Sequence, residues 1–364
     1  PVTCENCKIL QVTEAAFSEY SDCLSTGKNR LLVLSGDYTQ KYMERNLIMD
    51  YSKVYNKAIS WINKNTVEGK GIIVATDNPK AYPEVTGYYI PTLLRWNQND
   101  KAINYAKWLV SIQKEDGSWR DCDDKDPYVF DSAQILKGLL AIRDKLNVDA
   151  NIIKGCEWIL SNMQDDGRLV TPSRNAWGSD DSFCSEMIHL YCLSPIIEAG
   201  NVFNRPDFVD KANKIANYYI EKYPDKILNF NMLSHFYAYV MEAMLDIGRV
   251  DLAREAMDKM KVRQHENGMI EGMNDVGWTC STGCFQLAIV WYQLGEIEAA
   301  NKIFDYACSL QNESGGWYGS YPTNFIQKVI RGRQHPYYFP KGEISWCVKY
   351  FLDAYYWKNK VAKG

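Results

Sequence analysis

Two kinds of helical pattern alternate along most of the chain. In the first kind, for example at residues 102–112, apolar side chains recur at every third or fourth position and leave one polar face. A loop containing Gly or Pro follows each such stretch, and then comes a more apolar stretch, which predicts a helix covered on both sides. The more apolar helices are predicted at residues 85–96, 130–146, 185–198, 234–247, 282–294 and 344–357.

A short glutamine–glycine motif recurs after the amphipathic stretches. It runs from Gln113 through Gly117 to Trp119 and from Gln311 through Gly315 to Trp317, with shorter copies at residues 164–167 and 264–268. The copies lie about fifty residues apart, or about twice that where a degenerate copy intervenes near residues 221–224. This spacing indicates one repeating unit of two helices.

Six helix pairs between residues 50 and 364 predict an all-α fold, an (α/α)6 toroid. The apolar helices would form an inner ring and the amphipathic helices an outer ring that covers them. An open solenoid is the alternative, although closure removes the need for capping repeats. Residues 1–49 match no copy, and we interpret them as an N-terminal extension or the remnant of an upstream module. Strand-like runs are scarce, and the best of them are residues 31–34 and 71–75.

The two full copies match the Q-x-x-x-G-x-W pattern, so residues 50–364 resemble the terpenoid cyclase and protein prenyltransferase toroid superfamily. The resemblance implies a structural role for the motif, in which the Gln side chain caps backbone groups and the Trp packs on the neighbouring unit. Segments 83–89, 128–134 and 343–354 are also similar to bacterial toroid proteins linked to surface-polysaccharide genes.

The sequence lacks the complete catalytic motifs of that superfamily. The Asp-x-Asp-Asp motif of cyclases is matched by residues 121–124, but these lie in a predicted loop, and Asp131 alone stands where the inner helix begins. The prenyltransferase zinc site is broken by Trp278, which stands two residues before Cys280 in place of Asp. A lone Cys4–Cys7 pair is weak support for zinc. We therefore expect no metal and no cofactor.

Polar residues cluster where the apolar helices begin, and in a closed toroid these starts share one rim. The candidate catalytic residues are Asp131, Glu186, Glu84 and His235. Clustered carboxyls raise one another's pKa, which yields the acid and ionised partner that glycoside cleavage uses. We favour Asp131 and Glu186 as this pair, assisted by the other two residues. Helix capping is the simpler interpretation, and we prefer it for Thr86, Ser281 and Ser345.

Aromatic residues are abundant, with 25 Tyr, 12 Phe and 11 Trp. Some fill the core, and others are suited to stack on sugar rings near the rim. The candidate substrate-binding residues are Tyr88, Tyr128, Trp177, Trp278, Trp317, Trp346 and Glu343.

Composition excludes several classes of partner and function. A net charge of −4 argues against a nucleic-acid-binding surface, and no apolar run is long enough for a membrane span. No signal peptide is recognisable, and the 11 cysteines suit reduced, buried thiols, so we expect a cytoplasmic protein. The number of subunits is left open.

The sequence thus favours a carbohydrate-active toroid that acts on a bacterial glycan or polysaccharide as a hydrolase, lyase or epimerase. The glycan or another small-molecule substrate would occupy the central funnel. One alternative is a non-catalytic toroid that binds a glycan or a protein. Another is an isoprenoid cyclase-like enzyme. Fold-level analogy alone does not separate these functions.

Overall fold

The computed structural model describes residues 49–172, 186–323 and 338–363. The chain divides into two units after Asp50, and every element named here belongs to the unit that begins at Tyr51. The helices are α1 (Tyr51–Lys64), α2 (Pro83–Arg95), α3 (Asn99–Ile112), α4 (Val129–Ala141), α5 (Asp149–Ser161), α6 (Leu193–Val202), α7 (Pro206–Lys222), α8 (Pro224–Leu228), α9 (Ser234–Asp246), α10 (Val250–Lys261), α11 (Ser281–Leu294), α12 (Ile297–Ser309) and α13 (Ser345–Val361). Cys4, Cys7 and the run at 31–34 lie outside the described residues.

Six helices form the inner ring: α2, α4, α6, α9, α11 and α13. Each packs against the next along the chain, and α13 packs against α2, which closes the ring. These helices are apolar because they are covered on both sides; in α11 every residue except Gln293 is buried. The predicted all-α toroid is therefore confirmed.

The outer helices α1, α3, α5, α7, α10 and α12 bury only one face. In α10 the buried residues are Ala253, Ala256, Met257 and Met260, which repeat at three- and four-residue steps on one side of the helix. Charged side chains fill the opposite face of α10. This amphipathic pattern lets each outer helix cover the inner ring while its other side meets water.

The glutamine–glycine motif joins consecutive outer helices. The Gln113 side-chain amide donates to the carbonyl oxygens of Gly117 and Asn151, and the Gln311 amide donates to those of Gly315 and Val54. The indole nitrogen of Trp119 donates to the backbone at Leu109, and that of Trp317 to the backbone at Ala307, both at 2.8 Å. The motif thus satisfies backbone groups where helices end.

The motif glycines fulfil two conditions that other residues would violate. Gly117 and Gly315 have φ angles of 94° and 99°, which favour glycine. A Cβ on Gly117 would also collide with the carbonyl group of Lys154 in α5, and one on Gly315 with that of Lys57 in α1. The last copy therefore fastens the end of the toroid to its first helix.

Two features differ from the sequence expectation. The third inner helix begins with a 3-10 segment, Glu186–Cys192, before α6, whereas one helix was predicted at 185–198. The helix predicted at 130–146 ends at Ala141. Short antiparallel strand pairs join β1 (Ile73–Ala75) to β2 (Asn78–Ala81) and β3 (Trp278–Cys280) to β4 (Ser320–Pro322).

Candidate active site at the inner-helix rim

Two glycines bring the starts of α2 and α4 together. A Cβ on Gly87 would lie 2.5 Å from the Cα of Ile135, and one on Gly138 would collide with the carbonyl oxygen of Gly87. Glu84 lies three residues before Gly87, and Asp131 lies four residues before Ile135, so each is one helical turn before the contact. The close approach of the two helices therefore brings these carboxyl groups near enough that the charge of Asp131 acts on Glu84.

The carboxyl groups of Glu84 and Asp131 are almost completely buried, with exposed fractions of 5% and 2%. Burial raises the pKa of Asp131 to about 7, although the Tyr82 hydroxyl donates to its Oδ2 at 3.1 Å and acts in the opposite direction. Burial and the charge of Asp131 raise the pKa of Glu84 well above its usual range. Both carboxyls therefore keep their protons to a higher pH than exposed carboxyls do.

Lys349 brings a positive charge from α13 towards this pair. Its side chain is buried, and its ammonium nitrogen lies 3.6 Å from the ring centroid of Tyr350 and 4.8 Å from that of Tyr88. This charge counteracts the rise in the pKa of Glu84 without cancelling it. The aromatic faces stabilise the buried ammonium group.

Asp353 anchors Lys349 from one turn further along α13. Its Oδ2 lies 3.0 Å from the ammonium nitrogen, while its Oδ1 accepts from Arg95 and Thr92 of α2, both at 2.9 Å. Burial alone would raise the pKa of Asp353, but the charges of Lys349 and Arg95 hold it below its usual value. Lys349 is therefore fixed by a carboxylate that stays ionised.

His235 lies at the same rim, at the start of α9, with an exposed fraction of 3%. Its Nδ1 is 2.5 Å from Oε1 of Gln286, and its ring centroid is 4.6 Å from that of Tyr239. Burial lowers the pKa of His235 to about 3, and the charge of Lys349 acts in the same direction. At neutral pH the imidazole is therefore uncharged and serves as a hydrogen-bonding group or base.

The structure does not join Glu186 to Asp131 as the sequence suggested. Both carboxylate oxygens of Glu186 are held by Arg168, whose Nε lies 3.0 and 2.9 Å from Oε1 and Oε2. A bidentate guanidinium contact neutralises the carboxylate and uses its acceptor positions. The carboxyl that pairs with Asp131 is Glu84, which the sequence analysis gave only an assisting role.

Two of the predicted substrate-binding residues make structural contacts. Trp317 is fully buried, and its ring packs against Phe285 and Phe351 while its indole nitrogen is bonded to the backbone. Glu343 accepts a hydrogen bond from the Trp61 indole at 2.6 Å and from the Asn312 amide at 2.8 Å, and Ser314 donates to it as well. These contacts fasten the segment before α13 to α1 and to the last motif loop.

The other aromatic candidates occupy different environments. Tyr88 is buried beside Lys349, and Tyr128 is half-buried at the start of α4. Trp346 is buried against Phe339, and within the described residues its indole nitrogen has no hydrogen-bond partner. Trp278 is buried in β3 against Gly272, where it fills core space. Trp177 lies outside the described residues.

The hydroxyl groups predicted to cap inner helices form other bonds. Ser281 donates to the carbonyl oxygen of Tyr318, and Ser345 donates to that of Val74. Thr86 donates to the Tyr82 carbonyl oxygen within its own helix region and accepts from the backbone of Ile72. The capping expectation is wrong for these three, because each stands past the N-cap residue of its helix, which is Tyr82, Cys280 or Ile344.

Metal-binding and cyclase motifs do not form sites in the part of the chain that the structure covers. No group of three His, Cys, Asp or Glu residues suited to a metal ion occurs among the described residues. The segment at residues 121–124 lies in the loop between Trp119 and α4, where Asp123 pairs with Lys80 and Asp124 with Lys114. Its acidic side chains are therefore occupied at the surface.

Sequence reasoning missed several polar residues that the inner ring encloses. They include Lys349 beside the carboxyl pair, and Gln286 and Glu242 beside His235. A signal was present for Lys349, because it and Asp353 interrupt an otherwise apolar helix at a four-residue spacing. Charged residues inside a helix that is covered on both sides require partners, which is a useful criterion for finding them.

Solved structures with the same fold span several chemistries. An α-amylase from Clostridium perfringens is 14% identical, with a TM-score of 0.61 over 84% of this chain and 97% of its own. An unsaturated glucuronyl hydrolase specific for heparin is 12% identical, with a TM-score of 0.61 over 86% and 97%. A type II terpene cyclase from Scytonema is 11% identical, with a TM-score of 0.58 over 85% and 97%. Identities this low show a shared fold.

Sequence comparison adds no relative: no protein-family model and no curated protein matches the chain. Among the described residues, no helix is both long enough and apolar enough to cross a membrane. What this chain does must therefore be argued from its own site.

Proposed function

We propose that this protein is a carbohydrate-active enzyme that hydrolyses a glycosidic bond of a glycan, with Glu84 as general acid and Asp131 as its ionised partner. The observation that carries the proposal is the buried pairing of these two carboxyls on adjacent inner helices. Glycosidases use such a pair, in which one environment keeps a proton and the other releases it. The amylase and the glucuronyl hydrolase on the same fold support this choice.

The division of roles follows from the surroundings of each carboxyl. Glu84, whose pKa is raised well above its usual range, keeps a proton that it can donate to the leaving oxygen of the glycosidic bond. Asp131, with a pKa of about 7, is partly ionised and accepts a hydrogen bond from Tyr82. Its negative charge would stabilise the positive charge that develops at the anomeric carbon.

Neighbouring side chains supply contacts suited to a sugar. Trp346 offers an aromatic surface, and its indole nitrogen, which has no partner within the described residues, offers a donor to a hydroxyl group. Lys349 is a second donor, and uncharged His235 offers a ring nitrogen. This mixture of apolar faces and fixed polar groups is typical of a small-molecule pocket.

The isoprenoid alternative is less consistent with the same residues. A cyclase interior stabilises a carbocation with aromatic faces and negative charge. Here the faces of Tyr350 and Tyr88 already hold the ammonium group of Lys349, and its charge would repel a carbocation. Elimination or epimerisation of a sugar would begin with a base such as uncharged His235, whereas hydrolysis uses the proton that Glu84 is suited to donate.

Digestion of a panel of glycans, followed by mass spectrometry of the products, tests the proposal. We expect the wild-type protein to release shorter fragments, and Glu84→Gln and Asp131→Asn to lower turnover by about 100-fold or more, because each removes one half of the acid and partner. Asp165→Asn, at an exposed position, is the control for a neutral carboxyl-to-amide change. Circular dichroism of each variant establishes that it is folded.

Three results would redirect the assignment. Glycan binding without products, unchanged in Asp131→Asn, would indicate a recognition module. Unsaturated or epimerised products would indicate a lyase or an epimerase. Neither binding nor cleavage of any glycan, together with turnover of a polyprenyl substrate, would support the isoprenoid alternative.

A further inference from the structure

A chain of hydrogen bonds leads from His235 to Glu242, both on α9. Nδ1 of His235 is 2.5 Å from Oε1 of Gln286, and Nε2 of Gln286 donates to Oε1 of Glu242 at 2.8 Å. The other oxygen of Glu242 accepts from the Tyr191 hydroxyl at 3.2 Å. The chain therefore ends at a carboxylate that holds two donors.

The direction of each bond follows from the chemistry of the three groups. An ionised carboxylate only accepts, so the amide NH2 of Gln286 must face Glu242. The amide oxygen of Gln286 then faces His235, and because that oxygen also only accepts, Nδ1 of His235 must carry a hydrogen. The other ring nitrogen, Nε2, keeps a lone pair, and within the described residues it makes no hydrogen bond.

Close packing of α9 and α11 holds this geometry. A Cβ on Gly283 would collide with the hydroxyl of Ser234 and lie 2.9 Å from the backbone nitrogen of His235. Gln286 is one turn after Gly283 and so faces the imidazole. The rings of Tyr239 and Tyr350, with centroids 4.6 and 6.1 Å from that of His235, cover the imidazole and limit competing water.

We infer that Gln286 and Glu242 are positioning residues that hold His235 as the uncharged tautomer with its hydrogen on Nδ1, so that Nε2 accepts a hydrogen bond from a substrate hydroxyl. The hydrogen bond from a substrate hydroxyl to Nε2 rests on the proposed function. The tautomer does not, because it follows from side chains that are present without a substrate. Second-layer partners fix the tautomer of other functional histidines in the same manner.

Nuclear magnetic resonance of protein labelled with 15N-histidine tests the tautomer directly. The chain has only four histidines, and a His235→Asn variant identifies the signals of His235. Spectra recorded at pH 8 lie above the pKa of Glu242, which burial raises to about 7 against the charge of Lys349. We expect the wild-type His235 to show a single form, protonated at Nδ1 and unprotonated at Nε2.

Two variants test the positioning residues. Gln286→Leu removes the acceptor, and we expect loss of the Nδ1-protonated form as the main species. Glu242→Gln allows the Gln286 amide to face either way, and we expect signals of both tautomers. Glu271→Gln is the matched control: Glu271 lies 2.6 Å from His265, so the change should alter the His265 signals and leave those of His235 unaltered.

The contradicting outcomes are distinct from those of the glycan assay, because no substrate is present. Hydrogen on Nε2 of the wild-type His235, or a doubly protonated ring at pH 8, would overturn the inference. A pure Nδ1-protonated signal in Glu242→Gln would remove Glu242 from the positioning role. Thermal unfolding of each variant shows whether a changed spectrum comes from a folded protein.

Discussion

A buried glutamate stands near the start of both α2 and α13, and the two have opposite environments. Glu343 accepts hydrogen bonds from Trp61, Asn312 and Ser314. Glu84 faces the carboxyl of Asp131 instead, and no side chain within the described residues donates to it. The comparison teaches that burial at the rim does not make a carboxyl reactive. What decides is whether the fold supplies donors to its ionised form.

The largest effect we expect is on the way the stability of the protein depends on pH, through the Glu84–Asp131 pair. Asp131 has a folded-state pKa of about 7 against an ordinary 3.8, so between these values the folded protein holds a proton that the unfolded chain has lost. Stability therefore falls as pH rises through this window, by about 4 kcal/mol. Asp131→Asn should remove this loss, so its stability relative to wild type should rise from pH 4 to pH 8.

Urea unfolding of wild type and Asp131→Asn at several pH values measures this difference. Glu242 and His235 are shifted in both proteins, so their contributions largely cancel, whereas Glu84 loses the charge of Asp131 and its pKa falls towards the ordinary value. Asp165→Asn, at an exposed position, is the control. A stability difference that does not change with pH would show that Asp131 is not strained by its surroundings.

The environment of Glu343 should respond in the opposite direction to that of Glu84. Glu343→Gln removes an acceptor and turns an amide NH2 towards the donors, so we expect a loss of about 3 kcal/mol in the free energy of unfolding. Glu84→Gln, the matched change, should cost little or stabilise the fold above pH 7, because it removes the cost of keeping a proton on Glu84 at a pH where the unfolded chain has lost it. Urea unfolding at pH 8 compares the two variants. Equal losses in the free energy of unfolding would contradict the distinction between the environments of Glu343 and Glu84.

The close approach of α2 and α4 is tested by Gly87→Ala. The added methyl group would press on the backbone of Ile135, and we expect a loss of about 2 kcal/mol together with separation of the carboxyls. Gly248→Ala is the control, since Gly248 has a positive φ but open space around it and should lose about 1 kcal/mol for backbone strain alone. A smaller loss at Gly87 than at Gly248 would contradict the packing argument.

The smallest expected effect is at Glu186. Its partner Arg168 has a side chain that is 46% exposed, and water screens such an ion pair, so Glu186→Gln should cost less than about 1 kcal/mol. Because both oxygens of Glu186 are occupied by Arg168, glycan turnover should also stay near the wild-type level. A loss of turnover as large as that of Asp131→Asn would restore the pairing that the sequence suggested.

The sequence was sufficient for the architecture because the fold repeats. Helix type follows from local periodicity, and the glycine of each motif copy reflects a local φ and one contact with the next outer helix. The helix starts, and hence Glu84 and Asp131 at the rim, follow from the same repeat. The 3-10 start of the third inner helix did not follow, because seven residues are too few for their apolar spacing to distinguish a 3-10 helix from an α-helix.

The roles within the rim could not be predicted, since they depend on residues distant in sequence. Trp61 reaches Glu343 across 282 positions, and Arg168 reaches Glu186 from a loop that no helical pattern describes. Asp131 has neighbours on both sides in the ring, and the close contact of α2 with α4, together with the hold of Arg168 on Glu186, selects Glu84 rather than Glu186. Sequence order around the ring leaves that choice open.

The closing contacts of the ring also constrain how the protein is synthesised. The bond from Gln311 to Val54 spans 257 positions, and the bond from Trp61 to Glu343 spans 282. At ribosomal speeds, α1 and α2 would wait about 15 to 60 s for the segments that cover them. Their apolar faces are exposed during that time, so newly made chains should depend on chaperones until α13 leaves the ribosome.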